Sequence, residues 1–200
     1  AQDLAAVQKS AEKALKIATQ QKWPQMQSVV YLTLGGACLN AGRTADALAA
    51  YRNSHAVVAD SDDPAAPKLQ VQTRLAEASV HVGEAEYVEA AEIYEQVAPV
   101  AEEIEDHFNA MESWRMAAWC RAALEEPDPA WHHGHKALDA AEQLDDEIRQ
   151  NCTLPYTAQG LLLLAENDPY HDEQETLCQR LEQLLGANWR SQLPEGSPAP

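Results

Sequence analysis

Three histidines, His132, His133 and His135, form the one cluster in this sequence whose residue types and spacing suggest metal chemistry. If the stretch is helical, His132 and His135 share a face, because residues three positions apart are neighbours on a helix. Imidazoles bind transition metals, but a structural site would also need Cys120 or Asp128 to converge on them. We therefore predict no metal and no cofactor. A site built from His132, His135 and Cys120 is the alternative.

Other signatures of catalysis are missing from the sequence. It contains no glycine-rich phosphate loop, no paired-carboxylate motif and no nucleophile elbow. Acidic residues are so frequent that a chance pair of carboxylates carries little weight. We predict that the protein is not an enzyme.

The net charge of −18 limits the classes of partner, since 32 acidic residues oppose 14 lysines and arginines. Nucleic-acid phosphates and anionic membranes would be repelled by this charge. The segment from Glu77 to Glu147 holds 19 acidic residues and three basic ones. This predicts a protein or peptide partner that is basic or amphipathic, although charge runs also serve simply to keep an outer helix face solvated.

The first helical segment is the locally basic exception, with lysines at positions 9, 13, 16 and 22. Its basic face could dock on the acidic middle of a second copy. A homo-oligomer, or a self-assembling structural module, is therefore an alternative to a separate partner.

Cysteine usage favours a reducing compartment. The four cysteines are far apart and form no CxxC pair, which is typical of buried free thiols. No apolar run approaches the roughly 18 residues that a membrane span requires. We predict a cytoplasmic protein that does not bind membranes.

The elements that must position these residues are helices. The apolar residues are mostly alanine and leucine, which favour helix over strand. We predict an all-α fold of about nine helices in a single domain over residues 1–186, followed by a disordered tail at 187–200. Within the domain, an N-terminal helix at 2–22 precedes four helical hairpins at about 24–60, 65–105, 107–149 and 152–186.

A fixed spacing relates these hairpins to one another. The small residues Ala14, Ser54, Val97 and Ala137, at equivalent places in second helices, are 40, 43 and 40 positions apart. Such spacing is typical of a solenoid of stacked hairpins, which we expect to be right-handed. A helical bundle without solenoid geometry is the alternative.

The opening hairpin resembles the tetratricopeptide repeat (TPR) family. Its matching residues are Tyr31, the pair Leu34-Gly35, Gly42, Ala47 and Tyr51. The spacing exceeds the usual period of about 34 residues, so the repeats are similar to the long-helix repeats of kinesin light chains. More weakly, the LGGACLNAG and SDDPAAP stretches resemble acidic TPR chaperones of type III secretion.

The resemblance implies a non-enzymatic scaffold that binds a partner peptide or helix in a concave groove. A secretion-type chaperone for an amphipathic client is the alternative that it suggests. The family register directs eight side chains into the groove, namely Val29, Leu32, Leu39, Gln72, Leu75, Ser79, Arg115 and Trp119.

Arg115 and Trp119 are the sharpest part of this hypothesis. They lie one helical turn apart and offer a fork of donors beside a flat apolar ring, and both residue types are common binding anchors. The alternative is that Arg115 pairs with Glu112 and Trp119 is ordinary packing. Leu32 and Gly36 stand where the family's carboxylate clamp would need Lys and Asn, so capture of a C-terminal carboxylate is not predicted.

Overall fold

A computed structural model of the chain describes residues 4–150, 152–166 and 169–194. These residues contain ten α-helices, two short 3₁₀ helices and no strand. The chain divides into two compact units, Ala1–Ile104 and Glu105–Pro200, hereafter unit 1 and unit 2. The single repeat domain over residues 1–186 stays a prediction.

Unit 1 holds the first five helices. The helices are α1 (Leu4–Gln20), α2 (Pro24–Asn40), α3 (Thr44–Ala56), α4 (Ala66–Gly83) and α5 (Tyr87–Glu103). The pairs α2/α3 and α4/α5 are the predicted hairpins, while α1 packs on α2 and both helices of the first hairpin contact α4. The predicted N-terminal helix is thus present, although residues 2 and 3 of its expected span lie outside the described residues.

Unit 2 holds the remaining helices. They are α6 (His107–Ala123), α7 (Pro127–Glu142), α8 (Asp146–Gln150), α9 (Leu154–Ala165) and α10 (Gln174–Leu185), with 3₁₀ helices at His171–Glu173 and Trp189–Gln192. Helices α6 and α7 form the third hairpin, and α7 also packs against α9.

The structure refines the predicted end of the third hairpin and corrects the predicted start of the tail. Within the hairpin predicted at about 107–149, α7 ends at Glu142 and the short α8 follows, and the ten described α-helices agree with the prediction of about nine. The expected disordered tail does not begin at residue 187, because the indole of Trp189 is only 1% exposed within a 3₁₀ helix. A single large apolar side chain ties this stretch to the core. Residues 195–200 of the predicted tail, and residues 167 and 168 of the predicted fourth hairpin, lie outside the described residues.

The same tight turn separates most of the helices. After α2, Gly42 takes a left-handed φ of 71°, and the amide of Arg43 donates to the carbonyl of Cys38 at 2.9 Å. After α4, Ala85 takes a φ of 59° and the amide of Glu86 donates to the carbonyl of His81 at 2.9 Å. This six-to-one bond is the Schellman motif, which satisfies a terminal carbonyl and reverses the chain.

Small residues allow the first hairpin to close. The ring of Tyr51 on α3 lies directly over Gly35 on α2, where a Cβ atom would be 2.4 Å from Tyr51 Cε1. Two turns earlier on α2, Ser28 is fully buried against the fully buried Ser54 of α3, and their hydroxyls hydrogen-bond at 3.0 Å. Ala47 on α3 is also fully buried, so small residues on both helices allow the close crossing.

A buried carboxylate connects the second hairpin to the first. Glu77 on α4 is 3% exposed and accepts from Arg52 Nε at 2.8 Å and from Arg74 Nη1 at 2.6 Å. Burial alone would raise the pKa of Glu77, but the hydrogen bonds and positive charges of the two arginines outweigh it and hold the pKa below its usual value. Glu77 is therefore a structural anion that links α3 and α4.

Candidate functional site

The unit 1 residues predicted to face a groove differ in exposure. On α2, Val29 and Leu39 are exposed, at 44% and 37%. Leu32, by contrast, is partly buried and packs against the core cluster that contains Tyr51 and Val80. Leu32 is thus better placed to stabilise the hairpin than to meet a partner.

The predicted residues of α4 form a more polar row. Gln72 and Ser79 are exposed, while Leu75 is half-buried. The hydroxyl of Ser79 donates to the backbone carbonyl of Ala76 at 2.8 Å. The accessible groups of this row are therefore mainly polar.

Arg115 and Trp119 lie together on α6 in unit 2. Both Nε and Nη2 of Arg115 contact Glu112 Oε2, at 3.2 and 2.7 Å, so the ion pair that the sequence offered as an alternative is present. Trp119 is nevertheless 45% exposed. The indole thus remains accessible beside a guanidinium whose direction is fixed.

Phe108 belongs to the same face of α6 and was missed from the sequence. It is 43% exposed and precedes Glu112, Arg115 and Trp119 by four, seven and eleven residues. These intervals place all four side chains on one side of the helix. The spacing of Phe108 from Arg115 and Trp119 could have shown that the three residues share a face. The family register, however, placed the groove positions of this helix only at Arg115 and Trp119.

Helix α9 adds two more exposed apolar residues. Glu112 accepts a hydrogen bond from the hydroxyl of Thr153, which precedes α9 and joins it to α6. Tyr156 follows Thr153 by three residues and is 60% exposed, and Leu163 lies two turns further along and is 46% exposed. We group these exposed residues of α6 and α9, together with the ion pair between them in sequence, under the name α6–α9 face: Phe108, Glu112, Arg115, Trp119, Tyr156 and Leu163.

The histidine cluster does not form a metal site with Cys120. His132 is exposed, whereas the Cys120 thiol is fully buried in α6. Within the described residues, no three histidine, cysteine or acidic side chains are grouped so that they could hold a metal ion. The proposed combination of His132, His135 and Cys120 is therefore not brought together.

The histidines of α7 instead belong to an aromatic stack. Trp131 stacks on Tyr170 with ring centroids 4.6 Å apart and meets His135 edge-on at the same distance. Burial, and then the positive charge of Arg180, lower the pKa of His135, which keeps its ring neutral near pH 7. Trp114 stacks on His133 at 5.1 Å, so two of the three imidazoles pack against tryptophans.

Comparison with known proteins identifies the fold. No family model matches the sequence, and no curated protein matches it. Among solved structures, BtubC (BKLC) from P. vanneervenii has a TM-score of 0.70 and 18% identity, covering 98% of this chain and 75% of that chain. A candidate kinesin light chain from Podosopora anserina with nearly identical TPR-like repeats has a TM-score of 0.58 and 16% identity, covering 93% of this chain and 89% of that one.

The fold is TPR-like. A single-substitution variant of the Podosopora anserina protein agrees, with a TM-score of 0.59 and 16% identity over 93% of this chain and 88% of that one. The predicted all-α helical-hairpin solenoid and its likeness to kinesin light chain repeats are confirmed at the level of fold. No helix in the described TPR-like part of the chain is long and apolar enough to cross a membrane.

Proposed function

We propose that this protein is a non-enzymatic scaffold that holds an apolar segment of a partner protein, helical or extended, on the first helices of its hairpins. TPR-like repeats generally serve in protein–protein interaction, and this fold supplies long exposed helix faces for that purpose. The observation that carries the proposal is the α6–α9 face.

The α6–α9 face leaves four large apolar side chains exposed to solvent. Phe108, Trp119, Tyr156 and Leu163 are each more than 40% exposed, on two helices of one unit. The hydrogen bond between Thr153 and Glu112 brings the start of α9 to α6, and exposed large apolar groups on neighbouring helices commonly mark an interaction site when they form one patch. Trp and Tyr are also the residue types most often found as energetic anchors.

The ion pair at the centre of the face gives it a fixed polar feature. Arg115 is held by Glu112, and Glu112 is held in turn by Thr153. A guanidinium fixed in this way can stack on an aromatic ring or donate to a backbone carbonyl without first losing its rotational freedom. The face therefore suits an apolar peptide that carries an aromatic ring or a free carbonyl near its middle.

The partner is expected to be basic or amphipathic, because the whole chain carries a net charge of −18. Positive charge at the ends of the bound segment would speed the encounter, while apolar side chains in its centre would supply affinity. Association should therefore slow as salt rises, with a smaller effect on dissociation.

Affinity purification from the native source with paired variants tests the proposal. Trp119→Ala removes an indole that is 45% exposed, whereas Val88→Ala removes an apolar group of similar exposure, 47%, on the second helix of a hairpin. We expect the wild type and Val88→Ala to retain the same specific protein, and Trp119→Ala to lose most of it. Equal retention by all three folded proteins would refute the α6–α9 face as the binding site.

A further inference from the structure

An apolar groove lies between α1 and α2 in unit 1, separate from the α6–α9 face. Its volume is about 410 Å³. The walls are small or apolar and are formed by Ala6, Val7, Ser10, Ala11, Ala14, Val29, Val30, Thr33 and Leu34.

The repeat register shows what this groove corresponds to elsewhere in the chain. Ala14 on α1 is equivalent to Ser54 on α3, and Val29 on α2 is equivalent to Gln72 on α4. Helix α1 therefore corresponds to the second helix of a hairpin, and α2 to the first helix of the next hairpin. The equivalent pair within unit 1 is α3 with α4.

In that equivalent pair, a third helix fills the position. Helix α2 contacts both α3 and α4. The Ser54 hydroxyl donates to the backbone carbonyl of Ser28 on α2 at 2.6 Å, and the Tyr51 ring covers Gly35. As a result, Ala47 and Ser54 are fully buried.

The corresponding residues of α1 and α2 have no such cover in the described part of the chain. Val7 and Ala14, the equivalents of Ala47 and Ser54, are only half-buried, and Thr33 is exposed. Val29 is 44% exposed. The groove thus has the apolar lining of a place for a further helix, and no described residue fills it.

The small side chains that line the groove indicate how large the side chains of an occupant must be. Ala11 stands where α3 has Tyr51, so the bulk that α3 supplies itself must come here from the occupant. Unit 2 contains a similar arrangement. Gly134 on α7 has no side chain, and the space beside it is occupied by Leu161 of α9, whose Cδ2 would lie 2.6 Å from a Cβ atom on Gly134. Large aliphatic side chains on the occupant would fill the groove in the same way.

The charges beside the groove indicate a second property of the occupant. Lys13 follows Ser10 by three residues, which places it on the outer edge of the groove, and Lys9 and Lys16 lie next to it on the helix. All three are exposed, and α2 contains no charged residue. Glu12, also exposed, is the one acidic residue of α1, so the three lysines leave this helix positive in a strongly acidic protein and would favour carboxylates on whatever binds there.

We propose that the α1/α2 groove binds an amphipathic helix of a separate partner protein, with large aliphatic residues on one face and acidic residues along one flank. The helix takes the place that α2 takes against α3 and α4, and runs antiparallel to α1. This goes beyond the proposed function and does not depend on it, because the groove and the α6–α9 face share no residue.

A synthetic peptide tests the groove directly with the full chain. The probe is a helical peptide of about 17 residues, matched to α1 in length, with leucines on one face and glutamates on one flank. A second peptide has every glutamate replaced by lysine. Titration calorimetry is expected to show saturable binding of the glutamate peptide, and at least tenfold weaker binding of the lysine peptide.

Three variants locate the binding. Ser10→Trp fills the groove from an exposed position and should reduce affinity by at least tenfold. Lys13→Glu should weaken binding about threefold in low salt, while Lys68→Glu, the same change at an exposed lysine on α4, should leave it unchanged. Equal affinity of wild type and Ser10→Trp, or of the two peptides, would overturn the proposal. So would a concentration-dependent dimer that Ser10→Trp abolishes in light scattering, since the occupant would then be a second copy.

Discussion

The ring of Tyr51 rests on the backbone of Gly35, so closely that a Cβ atom there would lie 2.4 Å from Cε1 and 2.6 Å from Cδ1 of the ring. This contact sets the distance between α2 and α3. The hairpin most similar to the TPR pattern is thus organised around the packing of a tyrosine ring against a glycine.

Gly35→Ala should destabilise the protein by about 1–3 kcal/mol, because the added methyl group forces the tyrosine ring or a helix to move. Gly36→Ala is the matched control, since the nearest atom to its Cβ would be Tyr51 Oη at 3.8 Å. That change should be neutral or stabilise by up to about 1 kcal/mol through helix propensity. Urea unfolding of both variants measures the difference, and equal stabilities would contradict the packing described.

Substitutions at the turn residues Ala85 and Gly42 should change the stability of the protein in opposite directions. Ala85 and Gly42 occupy the same turn position with φ values of 59° and 71°. Ala85→Gly should stabilise by about 0.5–1 kcal/mol by relieving left-handed strain, and Gly42→Ala should destabilise by about 1 kcal/mol. Thermal unfolding checks both. Shifts of the same sign would mean that these turns do not hold the conformation described.

The buried carboxylate of Glu77 should make the stability of the protein depend on pH. Its folded-state pKa is lowered below the ordinary value of 4.5, so its contribution is complete above that pH and is lost as the pH falls towards the folded-state pKa. Glu77→Gln should cost about 1–3 kcal/mol at pH 7. The difference from wild type should shrink as the pH falls below 4.5.

Urea unfolding of wild type and Glu77→Gln at pH 7 and at about pH 3 tests this. Glu89→Gln is the control, because Glu89 is exposed and on the same hairpin. It should stay close to wild type at both pH values. A gap between wild type and Glu77→Gln that stays constant with pH would contradict the role assigned to the Glu77 carboxylate.

Much of the fold could be predicted from local features of the sequence. Gly35 and Tyr51 have the types and spacing that a helical hairpin requires, and short turns such as Ala41-Gly42-Arg43 separate the helices. The end of α7 at Glu142 and the burial of Trp189 could not be predicted, because both depend on contacts that form only after the chain has folded.

The accessibility of the candidate site residues was harder to predict, for the same physical reason. The register placed Arg115 and Trp119 on α6, but whether Arg115 pairs with Glu112 or remains available depends on side-chain geometry. Phe108 was overlooked, although it shares their face. The α1/α2 groove could not be found from the sequence, because the apolar residues that line it have the same spacing as those of an ordinary buried helix face.

The most direct test of the proposed function is the affinity of the purified protein for the isolated partner segment, once affinity purification has identified it. Phe108→Ala with Trp119→Ala removes both aromatic groups of α6 from the α6–α9 face, and Val88→Ala serves as the control. The double variant should stay folded and bind the segment at least tenfold more weakly, a loss of about 1.4 kcal/mol or more in binding free energy. The affinity of the Val88→Ala control should equal that of the wild type. Unchanged affinity in the double variant would contradict the proposed function.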